Sequence, residues 1–284
     1  MSERPTEQFV GVDLKRRKLL KGAIALAAAF AVGKLEKLVI PKKEWWGHIE
    51  KIDEETRRML LRFSPITVAH NANTFKKYQE AIDLGVDFVE ADIRSYLGKQ
   101  VIIHGQDNLA LAWNEGRRLM GFSGTVPYLE ELVQQANGQN QRIYLDLKEE
   151  SEADIDAVAR IVANHGIEDE VAYSGEWLAL DRIARISRKG NNLFYSIGNE
   201  QQLYSFMDEQ NSRHGQGVSL NFTLARKDVI KALRAHGVIK VFVYGADYSY
   251  EILPPLEAGA DAINTGNLGA LELWQKTSPD YFFA

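Results

Sequence analysis

Between residues 66 and 104 the chain places two histidines around a Glu-x-Asp pair: His70, then Glu90 and Asp92, then His104. Each sits in or just after a β-branched run (66–70, 87–92 and 101–104) that reads as a β-strand. A strand turns alternate side chains to one face, so Glu90 and Asp92 project together. Carboxylates held side by side require a cation or a shared proton between them. Histidines at neighbouring strand ends then supply acid and base to whatever that cation holds. The run Tyr144-Leu145-Asp146-Leu147-Lys148 adds a third carboxylate, with Lys148 on the same face as Asp146. Glu90, Asp92 and Asp146 form an all-oxygen donor set, which suits Mg²⁺ or Ca²⁺ better than zinc. Waters or substrate oxygens would complete such a shell, as is common for Mg²⁺ in phosphate chemistry, and Lys148 would neutralise a further phosphoryl oxygen.

These side chains need a scaffold that brings distant strand ends to one place. From Pro65 onward, strand-like runs at 66–70, 87–92, 142–147, 170–174, 192–196, 217–221, 239–244 and 261–264 alternate with amphipathic stretches, and 100–104 adds an extended piece. Helices are predicted at 73–84, 127–137, 151–164, 176–188, 200–212, 226–236, 248–258 and 268–276. Gly85, Gly166, Gly237 and Gly259 stand where a helix must end before the next strand. Eight such units in roughly 220 residues fit a single-domain (β/α)8 TIM barrel. An open doubly wound sheet is the rival, and it would place a glycine-rich loop after the first strand. Residues 70–74 contain no glycine. In a barrel the chemistry lies at the carboxyl-terminal strand ends, where His70, Asp92, Asp146 and Lys148 fall.

Charge is unevenly divided. Through Lys43 there are ten Lys or Arg and four Asp or Glu, a net +6, which leaves −11 for the rest of a chain whose total is −5. That acidic body excludes a nucleic-acid partner, since such binding depends on basic residues that neutralise phosphates. Cysteine is absent, which excludes disulfides and thiolate metal sites. Residues 15–21 are strongly basic and 22–32 are short and Ala-rich, the order of an export signal. Arg16-Arg17 followed by Leu19 and Leu20 resembles the twin-arginine export signal of bacteria, with Lys15 where Ser or Thr is usual. The expectation is a leader or membrane-anchor helix in residues 1–43 and a catalytic barrel in 44–284. Export to the periplasm or the exterior follows, with membrane association through the leader if it stays uncleaved.

Residues 66–148 resemble the glycerophosphodiester phosphodiesterase superfamily, metal-dependent TIM barrels that include sphingomyelinase D-type phospholipases. His70 and His104 match that family's two histidines, Glu90-Ala91-Asp92 its metal pair, and Asp146-Leu147-Lys148 its acidic-x-Lys element. The resemblance implies attack on phosphorus, with the histidines as base and acid and Glu90, Asp92 and Asp146 on the ion. The glycerophosphodiesterase branch has His-Arg-Gly and a Glu-Asn-Thr loop, where this chain reads His70-Asn71-Ala72-Asn73-Thr74. That short loop, the His104-Gly105 pair and Asp146 in place of Glu are more similar to the sphingomyelinase D branch, whose cysteines and carboxyl-terminal tail are absent here.

Asn73 reads equally as a helix cap or a substrate contact. Trp113, Asn221, Tyr244 and Asn264 fall near the expected barrel mouth, where packing would explain each one singly. His48, His165, His214 and His236 read as structural; His165 and His236 precede helix-ending glycines, where a cation complements the helix dipole. Trp45 and Trp46 suit either the barrel's amino-terminal end or a membrane surface. The leading expectation is a phosphodiesterase acting on glycerophosphodiesters or phospholipid headgroups. The alternatives are a sphingomyelinase D-like phospholipase that forms cyclic phosphate, and a non-catalytic barrel that binds a phosphorylated ligand.

Overall fold

The computed structural model describes residues 51–105, 111–112, 114–115, 118, 126–148, 151–187, 192–208 and 216–274. The expected leader, Trp45, Trp46, His48, Trp113 and His214 lie outside the described residues. Among the described residues no helix is long and apolar enough to cross a membrane. The chain divides into two compact units, Glu44–His104 with Pro127–Ala284, and Gly105–Val126 with Met1–Lys43. In the second unit, the buried Asn114 side chain bonds both the amide (2.9 Å) and the carbonyl (3.2 Å) of Val126.

The first unit is built on nine strands: β1 (Ile66–Ala69), β2 (Phe88–Tyr96), β3 (Lys99–Ile102), β4 (Arg142–Leu147), β5 (Val171–Gly175), β6 (Asn192–Ile197), β7 (Gly217–Asn221), β8 (Lys240–Tyr244) and β9 (Ala262–Thr265). Eight of them pair in parallel, in the order β1-β2-β4-β5-β6-β7-β8-β9, and β9 pairs again with β1 to close the barrel. The expected strands are all present within a few residues of their predicted limits. β2 runs past the barrel rim and folds back on β3 through Leu97 and Gly98, whose φ angles of 51° and 75° suit a two-residue hairpin turn.

Helices precede, connect and follow the parallel strands: α1 (Glu54–Leu60), α2 (Phe75–Asp83), α3 (Leu129–Gln139), α4 (Glu152–Asn164), α5 (Trp177–Ile186), α6 (Glu200–Asp208), α7 (Lys227–Ala235), α8 (Ser249–Ala258) and α9 (Leu268–Trp274). α1 is an addition to the expected set. Asp53 caps it, accepting from the Thr56 amide at 2.8 Å, and its fully buried Leu60 accepts from the Trp274 indole at 3.2 Å. Gly85, Gly166, Gly237 and Gly259 all have positive φ, as helix-ending glycines should.

Period-two alternation sorts each strand. On β4, Ile143, Leu145 and Leu147 belong to the large core under the helices, while Tyr144 points into the barrel. Inside, Tyr144, Phe88, Phe194 and Phe242 form an aromatic plug with Val68, Ala172 and Ala262; the Tyr144 and Phe242 rings stack at 5.5 Å. This plug is the floor on which the polar upper layer rests.

Candidate active site

Asp92 and Asp146 are placed by strand register. β2 and β4 pair with Asp92 directly beside Asp146, and Glu90 stands two residues below Asp92 on the same face. Ligand oxygens of Glu90, Asp92 and Asp146 lie within 4.8 Å of one another. His104 arrives by the β2–β3 hairpin: Ile93 pairs with Ile102, and the Ile103 amide bonds the Asp92 carbonyl at 3.0 Å. The returning chain therefore sets His104 Nδ1 2.9 Å from Asp92 Oδ2. The His104 side chain is 67% exposed.

His70 follows β1, with its amide bonded to the Thr265 carbonyl at 3.0 Å. The next residue, Asn71, adopts a left-handed conformation (φ 58°), which Asn tolerates better than most residues. That turn aims the Asn71 amide at Glu90 Oε2, 2.5 Å away. Asn73 then locks Asp92 from both sides, donating to Oδ2 at 2.7 Å and accepting from the Asp92 amide at 2.9 Å. The cap of α2 is Thr74 rather than Asn73. Lys148 lies between the acids, bridging to Asp146 Oδ2 and standing 3.1 Å from Asp92 Oδ1. All seven side chains singled out from the sequence (His70, Asn73, Glu90, Asp92, His104, Asp146 and Lys148) thus belong to the carboxyl-terminal end of this barrel.

Their electrostatics diverge because their partners do. Burial, together with the charges of Asp92 and Asp146, pushes the Glu90 carboxyl well above its usual range. Burial also raises Asp146, against the pull of Lys148. Asp92 is held below the usual range: bonds from His104 and Asn73 and the charge of Lys148 overcome its burial. His104 is raised by its bond to Asp92, whereas burial lowers His70 against the opposing charges of Asp247 and Asp92. One imidazole therefore favours the protonated form and the other the neutral form.

A hard cation fits this donor set. Among the described residues, Asp146 Oδ1 is buried with no hydrogen-bond partner, and the Glu90 carboxylate accepts one hydrogen bond, from the Asn71 backbone amide. Such crowded, under-bonded carboxylates are the chemistry of a Mg²⁺ or Ca²⁺ site. Three further residues serve the site without having been anticipated. Asn71 holds Glu90 through its backbone. Gly175, with φ 119°, leaves room that a methyl group would fill, 2.1 Å from the Leu147 carbonyl and 2.9 Å from Asp146 Oδ1. Asp247 follows β8 and accepts from the Gly266 amide at 2.8 Å. It lies three residues beyond Tyr244, so the strand-end rule that found Asp146 could have found it.

No family model and no curated protein matches the chain. Solved structures do. A protein from Silicibacter pomeroyi DSS-3 assigned as a glycerophosphoryl diester phosphodiesterase aligns with a TM-score of 0.60 at 16% identity, over 76% of this chain and 97% of that one. A glycerophosphodiester phosphodiesterase from Agrobacterium tumefaciens C58 gives 0.57 at 19%, over 74% and 99%. A phosphodiesterase from Oleispira antarctica, solved with its product sn-glycerol-3-phosphate, gives 0.57 at 18%, over 75% and 97%. At these identities the likeness establishes the fold, and this protein has the barrel fold of the glycerophosphodiester phosphodiesterases.

Proposed function

We infer that this protein is a metal-dependent phosphodiesterase that hydrolyses glycerophosphodiesters or related lipid-headgroup diesters. One observation carries the reading: three crowded carboxylates, a lysine and two imidazoles of opposite protonation preference converge on the carboxyl-terminal end of a barrel shared with phosphodiesterases. Glu90, Asp92 and Asp146 would hold the ion. Bound there, Mg²⁺ or Ca²⁺ would offset charge developing on the phosphoryl oxygens. Lys148 adds a second positive charge on the same side. His70, whose neutral form burial favours, takes the proton of the attacking water. His104, whose protonated form its bond to Asp92 favours, gives its proton to the leaving alcohol.

Phosphorus NMR on the chain without residues 1–43 tests the reading, using a glycerophosphodiester panel with Mg²⁺, Ca²⁺ and chelator. Open-chain glycerol phosphate that disappears with chelator is the expected product. A cyclic phosphate formed from a lysolipid would instead support the sphingomyelinase D-like alternative. Tight ligand binding with no diester consumed would support the non-catalytic one. The basic-then-apolar order of residues 15–32 supports export by the twin-arginine route, with the barrel outside the cytoplasm. Recovery of the protein only from the cytoplasmic fraction of a bacterial host would contradict that part.

A further inference from the structure

A cleft of about 440 Å³ opens on the same end of the barrel as the catalytic cluster. One wall is the start of α5, with Glu176, Trp177 and Leu178, just after β5. The other is the start of α6, with Asn199, Gln201 and Gln202, just after β6. Four hydrogen bonds tie these walls to the neighbouring strand ends. The Glu176 amide donates to the carbonyl of Leu147, which lies between Asp146 and Lys148, at 3.3 Å. The Trp177 indole donates to the Ser196 carbonyl at 2.8 Å, and the Ser196 hydroxyl accepts from Gly175, the residue that packs on Asp146, at 3.1 Å. Gln202 Oε1 accepts from the Gly198 amide at 2.7 Å, and Gly198 lies against the Tyr244 hydroxyl. Gly175 packs on Asp146 and Trp177 stands two residues further along the chain, so the cleft lies beside the strand end that carries Asp146.

The lining has a definite chemistry. Three carboxamides, the Ser205 hydroxyl and the Glu176 carboxylate surround an indole that is held edge-on by Phe206 at 5.9 Å. Among the described residues the lining holds no lysine or arginine, so a second phosphate finds no counter-charge from them. Among the described residues, the Asn199 and Gln202 side-chain nitrogens and both polar ends of Gln201 have no hydrogen-bond partner. A fixed aromatic face beside unengaged donors and acceptors matches a ring with C–H bonds on its face and hydroxyls around its edge. An ammonium headgroup would use only Glu176 and the indole, leaving the carboxamides unmatched.

We propose that this cleft is the leaving-group subsite and that its occupant is a polyhydroxylated ring. The assignment rests on the phosphodiesterase reading and narrows its substrate class. The test compares kcat/KM of the full chain, supplied with metal, on glycerophosphoinositol and on glycerophosphocholine. The inositol diester is expected to be favoured by about tenfold, the worth of one or two neutral hydrogen bonds plus ring stacking. Trp177→Ala should erase that preference, mainly through KM, and should abolish competitive inhibition by free myo-inositol. Because Trp177 also anchors Ser196, the exposed Gln201→Ala provides a second variant, which should reduce the preference by about threefold. A wild-type protein with no preference, or variants that slow both substrates equally, would overturn the subsite and leave the diesterase reading standing. Failure to cleave any diester with metal bound would overturn both.

Discussion

The two ends of the barrel use aspartates in opposite ways. At the amino-terminal end, Asp87 accepts from both the amide and the hydroxyl of Thr67, at 2.8 and 2.9 Å, and its own amide returns a bond to that hydroxyl. Asp261 accepts from the Val241 amide at 2.6 Å and from Arg234 at 2.5 Å. Each acid there binds its own partners and stitches neighbouring strands. At the carboxyl-terminal end, Glu90, Asp92 and Asp146 crowd together, Lys148 is shared by Asp92 and Asp146, and among the described residues an Asp146 oxygen stays unbonded. Acids that are separately satisfied stabilise the fold. Acids that share one partner store repulsion, which a bound cation relieves.

The sharpest way to separate the two ends is to remove the histidines. His70→Ala and His104→Ala should each lower kcat by about 10²–10⁴-fold, the range for losing a positioned acid or base. Thermal stability and calorimetric Mg²⁺ or Ca²⁺ affinity should change little. Full activity in both variants would refute the assignment. The complementary break is Asp87→Ala. It removes two hydrogen bonds to a carboxylate and should cost about 2 kcal/mol in urea unfolding, with kcat of the folded protein preserved. A loss of activity at unchanged stability would merge the two ends and undo the contrast.

Much of this was legible from local pattern. Period-two runs and helix-ending glycines define the βα units, and residues two apart at a strand end share a face, which is why Asp146 and Lys148 could be paired from the sequence. What escaped depends on backbone placement between distant segments. The hairpin that returns His104 to Asp92 turns on Leu97, a non-glycine residue with positive φ. Glu90 is held by an amide, that of Asn71, so no side-chain pattern announces it. Asn73 had two open readings; its bonds go to Asp92, while Thr74 caps the helix. α1 did carry a local signal, with Asp53 as cap, Glu54 and Glu55 in the first turn and Arg57 and Arg58 in the last.

Glu90 gives a pH-dependent measure of the burial and repulsion that the carboxyl-terminal end imposes on its acids. Its folded pKa lies above the ordinary value, so its contribution to stability is full below the unfolded pKa. That contribution is lost as pH rises from about 4.5 through the folded value. Asp92, depressed, runs the other way, but only at more acidic pH, below about 3.8. Chelator-treated protein should therefore lose stability as pH rises above the ordinary glutamate range, and added metal should restore it. Glu90→Gln should flatten that slope and weaken metal binding together. Melting curves across pH, with and without chelator, check both. A slope identical in the variant would assign the pH dependence to other groups.

The smallest effect lies one step away from the acids, at Asp247. Its carboxylate is fixed by the Gly266 amide, and the neighbouring Thr265 carbonyl takes the His70 amide, so the loops after β8 and β9 hold acid and imidazole in a fixed relation. Among the nearby charges Asp247 raises the His70 pKa most, partly offsetting the effect of burial. Asp247→Asn keeps the hydrogen-bond acceptor and removes only the charge. The His70 pKa should then fall further below its ordinary value. If His70 is the base, the acidic limb of the kcat/KM profile should move to lower pH, because less acid is needed to protonate an essential neutral group when its pKa is higher and more when it is lower. The plateau should drop a few-fold as the base weakens, whereas a purely structural role would lower the plateau and leave the limb in place. Ring-proton NMR of His70 gives the same answer without turnover. An unmoved titration would mean that burial alone sets this imidazole, and that the carboxyl-terminal end works without its fourth acid.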